Sequence, residues 1–416
     1  MSQLKLLRGF NDIIFKQGGD FQKVINSALK SANLYGYETG HFPILESTNL
    51  FKRSLGEASD VVSKEMYSFA DRNDESLTLR PEFTAVIARA IITGGLYNQL
   101  PFKIFSYGPL FRYERPQRGR FRQFHQLNFE NYSQNPKGCD IDIILLINNL
   151  LNNLKINDKI TLEINNLGCD ESRSNFAKNL VEYLTPFKSE LSEDSQKRLS
   201  LNPLRILDSK SSEDKKILEE APNLLDFQTD ESKEFFEQIE SALSNCNIKY
   251  KLNDKLVRGL DYYNNFVFEF TTDLLGSQNA VVAGGRYDRL FDILGSKQKV
   301  TAVGAAGGIE RLIELCEFIE TKNYDLTIIP FNDEFDNFAI GLAEFLRKQN
   351  ISCEILMQSG NLKKRIQKAE AKSHNFIIIG EDEVKQEEFN IKNFNDASQQ
   401  KLQRDQIKAF VNNKRI

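Results

Sequence analysis

Residues 102–130 read FKIFSYGPLFRYERPQRGRFRQFHQLNFE, two aromatic, strand-like runs joined by a polar loop. Such a pattern is that of a strand–loop–strand hairpin, so this part of the chain is expected to build antiparallel sheet rather than parallel βαβ units. Between positions 112 and 122 the hairpin carries five arginines, Arg112, Arg115, Arg118, Arg120 and Arg122, against one acid, Glu114. The whole chain nevertheless has a formal charge of −4. Net charge averages over a chain while a ligand feels the local field, so the loop raises the question of which anion it faces.

The surrounding sequence extends the sheet. MYSFAD (66–71) and SLTLRPEF (76–83) are short and strand-like, and the helical run PEFTAVIARAIITGG has Pro81 at its start and Gly94-Gly95 at its end. Upstream, DFQKVINSALKSANL (20–34) has apolar residues at helical spacing. Residues 170–248 then become rich in Ser, Asn, Glu and Lys with helix-period stretches, before glycine-punctuated strands resume in NFVFEF, NAVVAGGRYD and TAVGAAGG. The segment of about 170–248 therefore reads as a helical insertion into an α+β domain of residues 1–322. From 324 to 416 strand and helix alternate (DLTIIPF, FAIGLAEFLRKQN, ISCEILM, NLKKRIQKAEAKSH, NFIIIG), as expected of a separate small α/β domain.

Composition excludes several classes. Hydrophobic residues make up 40% and charged residues 27%, ordinary for a globular protein. No apolar run reaches 18 residues and the N-terminal MSQLKLLRGFND has no secretory pattern, so no membrane and a cytoplasmic location are expected. Five scattered cysteines without a CxxC pair read as free thiols, and three histidines rule out a His-rich metal site. No G-x-x-x-x-G-K-[ST] or G-x-G-x-x-G occurs, so ATP would have to be held without a P-loop or Rossmann turn.

Several residue types suit a ligand carrying both signs. Arg112 follows Phe111 in an apolar strand, where a guanidinium is costly unless paired, and a guanidinium fork fits phosphate. Arg112 and Glu114 share one strand face by parity, as do Gln126, Asn128 and Glu130 on the returning strand. A carboxylate and an amide on one face suit an ammonium group, although ordinary cross-strand pairing would also account for them. LVRGLDYYNNFVFEF (256–270) adds Arg258, Asp261, Tyr262 and Tyr263, and the small residues of AGGRYDRL and AVGAAGGIERL allow either close packing or ligand approach. The run LKKRIQKAEAK (362–372) is basic within a region where acidic and basic side chains balance; a solvated helix face and a phosphate-backbone contact both remain open.

TLRPEFT, GPLFRYERPQRGRFRQFHQ and AVGAAGGIERL resemble the signatures of the class II aminoacyl-tRNA synthetase core. LVRGLDYYNNFVFEF with AGGRYDRL resembles the pair of segments particular to histidyl-tRNA synthetases, and the similarity runs over essentially the whole chain. The resemblance implies an antiparallel six-stranded sheet with helices, a helical insertion, a C-terminal anticodon-binding domain and a homodimer. It implies activation of L-histidine with ATP and Mg²⁺ to histidyl-adenylate and pyrophosphate, then transfer to the 3′ end of tRNA(His). Carried over, Arg112 contacts the α-phosphate and histidine carboxylate, Arg120 and Arg311 hold the distal phosphates, and Arg258 is a fixed cation at the reacting groups. Glu82, Thr84 and Gln126 match positions that bind the α-amino group; Glu130 and Tyr263, with Tyr262 beside them, match those facing the imidazole. Arg115 and Gln117 are expected at the acceptor stem, and Lys363, Lys364 and Arg365 at the anticodon arm. Phe83 stands where the family more often has glycine, and Asn128-Phe129 where smaller residues are usual, which raises the expectation of an altered pocket edge. The non-enzymatic regulatory subunit of ATP phosphoribosyltransferase resembles the same core but usually lacks a C-terminal domain. Class II synthetases for threonine, proline or glycine share that domain, but LVRGLDYY and AGGRYD favour histidine. A non-catalytic nucleic-acid module would leave Arg112 and Arg258 without a purpose.

Overall fold

A computed structural model describes residues 4–56, 59–133, 138–209, 211–260, 262–276, 279–318, 322–357 and 360–413. The chain divides into two compact units, Met1–Glu317 and Phe318–Ile416.

The first unit is built on eleven strands: β1 (Glu38–Thr39), β2 (Leu45–Ser47), β3 (Tyr67–Ala70), β4 (Ser76–Leu79), β5 (Phe102–Phe111), β6 (Gln123–Ser133), β7 (Thr161–Gly168), β8 (Tyr250–Leu252), β9 (Asn264–Thr271), β10 (Ala280–Arg286) and β11 (Thr301–Gly308). Eight of them form one sheet in the order β1-β5-β6-β11-β10-β9-β7-β8. The six inner strands, β5 to β7 in that order, are antiparallel throughout, and the short strands β1 and β8 extend the two edges in parallel. The six-stranded antiparallel core expected from the resemblance is thus present with an added parallel strand at each edge. MYSFAD and SLTLRPEF do not join it: β3 and β4 pair with β2 in a separate three-stranded sheet.

Helices cover the sheet where the apolar spacing requires it. Phe15–Leu34 buries Val24, Ile25, Ala28 and Ala32. Thr84–Gly94 buries Ala85, Val86, Ile87, Ala88 and Ile91 and ends where Gly95 takes the left-handed conformation at φ 63°. Between β7 and β8 stand the helices Asp170–Leu184, Glu193–Leu201, Ser212–Ile217 and Asp230–Asn245, interrupted by single 3₁₀ turns, with no strand among the described residues there. Leu180, Leu184, Leu191, Leu199, Ile206, Leu218 and Leu224 give them a shared core. The glycines of the last two core strands serve close packing, since a Cβ on Gly284 would strike the Gly304 carbonyl.

In the second unit β12 (Tyr324–Pro330), β13 (Cys353–Ile355) and β14 (Ser373–Ile379) are parallel, joined by the helices Asp336–Arg347 and Leu362–Lys372. Two further strands, β15 (Glu388–Asn393) and β16 (Gln399–Gln403), extend the sheet antiparallel in the order β13-β12-β14-β15-β16. The strand–helix alternation did not reveal this hairpin, because its runs are mostly polar and only Phe389, Ile391, Asn393 and Leu402 point inward.

Candidate active site

One face of the large sheet opens into a cavity of about 990 Å³. Its wall combines Arg112, Glu114 and Arg120 from the hairpin, Gln126 from β6, Glu82 and Thr84 from the start of a helix, residues 255–260 with Tyr262 and Tyr263, Gly308 at the end of β11, and Arg311 after it. These residues are scattered over the sequence, and the antiparallel core brings them to one basin.

At the hairpin end, β5 stops at Phe111, so Arg112 stands just past the strand and is half-buried rather than enclosed within it. Its Nε donates to the Pro81 carbonyl (3.0 Å) and its guanidinium lies over the Phe124 ring (5.4 Å). Arg120 donates to Glu114 (2.6 Å), Arg118 to Glu314 (2.6 Å), and Arg122 stacks on Tyr113 at 3.6 Å. The helix after β11 is tied to β6 by Glu310, which accepts from the His125 backbone (3.0 Å) and meets its ring nitrogen Nδ1 (2.8 Å). That helix presents Arg311, whose pKa is pulled down first by burial and then by the neighbouring Arg120 charge. Two cations held together in partial burial are stabilised by an anion between them.

The floor is built differently. Glu82 caps the helix Thr84–Gly94, accepting the Thr84 and Ala85 backbone N–H groups at 2.7 Å each. Burial raises its pKa in spite of those bonds. Glu130 is fully buried and is not part of the cavity wall. Its oxygens accept from the Thr84 hydroxyl (2.6 Å), the Asn128 amide (3.1 Å) and the Tyr287 hydroxyl. Burial pushes its carboxyl up to about 7, against the downward pull of those three donors. Glu130, expected to face the imidazole, lies behind the wall in this structure with its carboxylate bonded to Thr84, and of the two residues that share parity only Gln126 lines the cavity. A Cβ on Gly304 would fall inside the Glu130 carboxylate, so the glycine of AVGAAGG makes room for that side chain. Phe83 is also buried, beneath the Arg80 guanidinium at 4.2 Å, and does not line the cavity, so it does not itself form the altered pocket edge expected of it.

Arg258, Tyr262 and Tyr263 come from the irregular segment that leads into β9, while Asp261 lies outside the described residues. Arg258 pairs with Glu269 of β9; burial is the largest single influence and lowers its pKa, but Glu269 together with Tyr263, Tyr262 and Asp208 raises it on balance. The Tyr262 and Tyr263 rings lie 4.8 Å apart, and burial pushes the Tyr263 hydroxyl up to about 12. Glu269, Tyr287, Phe124 and Glu310 were missed from the sequence. The alternation in NFVFEF, where one acid interrupts apolar residues, was a usable signal for Glu269.

Arg115 and Gln117 are exposed in the hairpin loop, where Gln117 bridges Arg120. In the second unit Lys363 and Lys364 are exposed, but Arg365 is not. Only 8% of Arg365 is accessible, and its guanidinium donates to the carbonyls of Pro330 (2.5 Å) and Phe331 (2.9 Å) at the end of β12. Its expected place in a basic surface is thereby corrected: helical spacing turns it inward, where it caps the strand.

Comparison with known proteins gives a consistent result. Residues 9–312 match the family model described as histidyl-tRNA synthetase, and residues 325–414 match one described as an anticodon binding domain. The chain is 45% identical over 391 residues to the histidine–tRNA ligase of Rickettsia bellii, covering 94% of both chains. It is 45% identical over 400 residues to that of Wolbachia pipientis subsp. Culex pipiens, covering 96% of this chain and 97% of the relative. Among solved structures, a histidyl-tRNA synthetase of S. aureus superposes with a TM-score of 0.82 at 29% identity, over 98% of this chain and 100% of that one.

Proposed function

Because the chain belongs to the histidyl-tRNA synthetase family, we propose that the 990 Å³ cavity is where it joins L-histidine to ATP as histidyl-adenylate. The activity is that of a histidine–tRNA ligase, an aminoacyl-tRNA synthetase that then passes histidine to the 3′ end of tRNA(His). The observation that carries the site assignment is the convergence of Arg112, Arg120, Arg258 and Arg311 on the wall of one basin together with Glu82, Tyr262 and Tyr263.

The first step is attack of the histidine carboxylate on the α-phosphorus, with pyrophosphate as leaving group. Negative charge grows on phosphoryl oxygens, so the protein's work is alignment and placement of positive charge. Arg112 and Arg258 neutralise the α-phosphate and hold the attacking carboxylate. Arg120 and Arg311 take the distal phosphates, which relieves the repulsion between them. Glu82, Thr84 and Gln126 receive the α-amino group. Tyr262 and Tyr263 face the imidazole, and Glu130 acts from beneath by fixing the Thr84 and Tyr287 hydroxyls. Mg²⁺ brought by ATP would neutralise phosphate charge through oxygen ligands; Glu114, Glu269 and Glu310 are the wall carboxylates that could meet it, and among the described residues no three acidic, His or Cys side chains group as a metal site of their own, so the phosphates would supply the other ligands.

Arg115 and Gln117, exposed on the hairpin loop, meet the acceptor stem, and Lys363 and Lys364 meet the anticodon arm. The exposed apolar side chains Leu4, Leu6, Leu7, Ile14 and Phe15 support a homodimer in which a second copy covers them. The five cysteines are free, in keeping with a cytoplasmic location, and among the described residues no helix is long and apolar enough to cross a membrane.

The test is pyrophosphate exchange into ATP with each of the twenty amino acids in turn, without tRNA. Exchange with histidine alone is expected. Exchange with none, by folded protein, would overturn the assignment of the cavity.

A further inference from the structure

The segment from Asn253 to Tyr263 joins β8 to β9 and has no helix or strand among its described residues, yet it brings Arg258, Tyr262 and Tyr263 to the cavity. An irregular loop keeps side chains within the tolerance that alignment of reactants needs only if its neighbours fasten it. The fastenings come from two sources. Asn165 of β7 donates its amide to the carbonyls of Asp254 (3.2 Å) and Leu256 (2.9 Å), which ties the loop's start to the sheet. The loop's end is held by the helical insertion: Arg173 Nη1 donates to the Tyr263 carbonyl at 2.8 Å. Arg173 lies in the first turn of the helix Asp170–Leu184, the first element of the insertion. Asn223, also of the insertion, donates to the Asp254 carboxylate (2.8 Å). Arg173, Arg205, Val257, Arg258 and Tyr263 all border one small cavity of about 30 Å³ behind the loop, so the insertion packs directly against its rear face.

We propose that Arg173 is a positioning residue for the histidine end of the site: it holds the Tyr263 backbone from behind and makes the insertion's first helix a structural part of amino-acid recognition. This rests on the reading of Tyr262 and Tyr263 as facing the imidazole. A guanidinium is charged at every working pH and makes a strong bond to a carbonyl, so the tether is permanent. Arg173 is not on the wall of the large cavity, and the distal-phosphate end is built from other elements, the hairpin and Arg311.

Arg173→Met keeps the stem and removes the donor, whereas Arg173→Lys keeps a charged donor. Pyrophosphate exchange gives KM for histidine and for ATP, and melting temperature is followed in parallel. The expected result for Arg173→Met is a histidine KM raised by about tenfold with an ATP KM within about twofold, and most of the loss restored in Arg173→Lys. An unchanged histidine KM, or equal losses for both substrates with a falling melting temperature and no rescue by lysine, would overturn it. If Arg173→Met does not fold, Arg173→Gln takes its place with calorimetric histidine binding as the readout; wild-type affinity would overturn the proposal. Wild-type protein that exchanges with no amino acid would overturn the underlying reading, whereas normal wild-type exchange with an indistinguishable Arg173→Met would remove Arg173 alone.

Discussion

At the hairpin end of the cavity Arg112, Arg120 and Arg311 stand partly exposed beside Glu114, while beneath the floor Glu130 is enclosed by Thr84, Asn128 and Tyr287. The hairpin end concentrates like charges that solvent still reaches, and there burial and the Arg120 charge pull the Arg311 pKa down. The floor holds fewer charges, yet burial raises its carboxyls, to about 7 for Glu130. Removal from water, rather than the number of neighbouring charges, decides which groups change their protonation. The two ends are thus prepared for different parts of one substrate pair, polyanion at one side and amino acid at the other.

Arg258 tests that division most severely, because it belongs to both ends. Arg258→Ala removes the cation and leaves Glu269 half-enclosed without its partner, so positive charge at the reacting centre becomes negative. Adenylate formation is expected to fall by a factor on the order of 10²–10³, the cost of losing one placed donor at a developing charge. Pyrophosphate exchange, with circular dichroism to verify folding, measures it. A rate within tenfold of wild type would remove Arg258 from the reaction.

Glu130 sharpens the comparison through pH. Its folded pKa, about 7, lies above the ordinary carboxylate value of 4.5, so the folded protein retains a proton that the unfolded chain has lost between those values. The stability associated with Glu130 is therefore greatest below about pH 4.5, declines as pH rises through that window, and is lost above pH 7. That difference corresponds to about 3 kcal/mol as an order of magnitude. Glu130→Gln cannot ionise; the gap between wild type and variant in urea-unfolding free energy should change over pH 4.5–7 and level off above it. A gap independent of pH would mean that the carboxyl titrates normally and that the floor is wet.

How much of this was legible follows from what each feature depends on. The helix Thr84–Gly94, the antiparallel hairpin and the inserted helices announce themselves locally, through Pro81 and Gly95, aromatic alternation and the shift to polar helix-period sequence. Membership of the residues that converge on the cavity was legible only as motif resemblance, since nothing local connects Glu82 with Arg311. What stayed hidden depends on depth. Parity put Glu130 on the same face as Gln126, but it cannot say that Thr84 from a distant helix covers one and not the other. The separation of β3 and β4 into their own sheet likewise reflects partner choice, for which short strands carry no signal of their own.

The exposed-versus-buried contrast recurs within one turn of the helix Leu362–Lys372, and there it yields the smallest expected effects. Lys363 and Lys364 face solvent, whereas Arg365 is consumed by the carbonyls of Pro330 and Phe331. If the two lysines meet phosphates of the anticodon arm, Lys363→Ala with Lys364→Ala should raise the tRNA KM a few-fold and leave pyrophosphate exchange untouched. The dependence of log affinity on log salt should become shallower by roughly 0.7–0.9 per contact removed, because each lost phosphate contact releases one counterion fewer. Arg365→Ala should behave differently, costing about 1–3 kcal/mol of stability in the second unit as its carbonyl partners lose their donor. An unchanged salt slope in the double lysine variant would show that these lysines only solvate the helix, leaving the sequence's basic run without a nucleic-acid role.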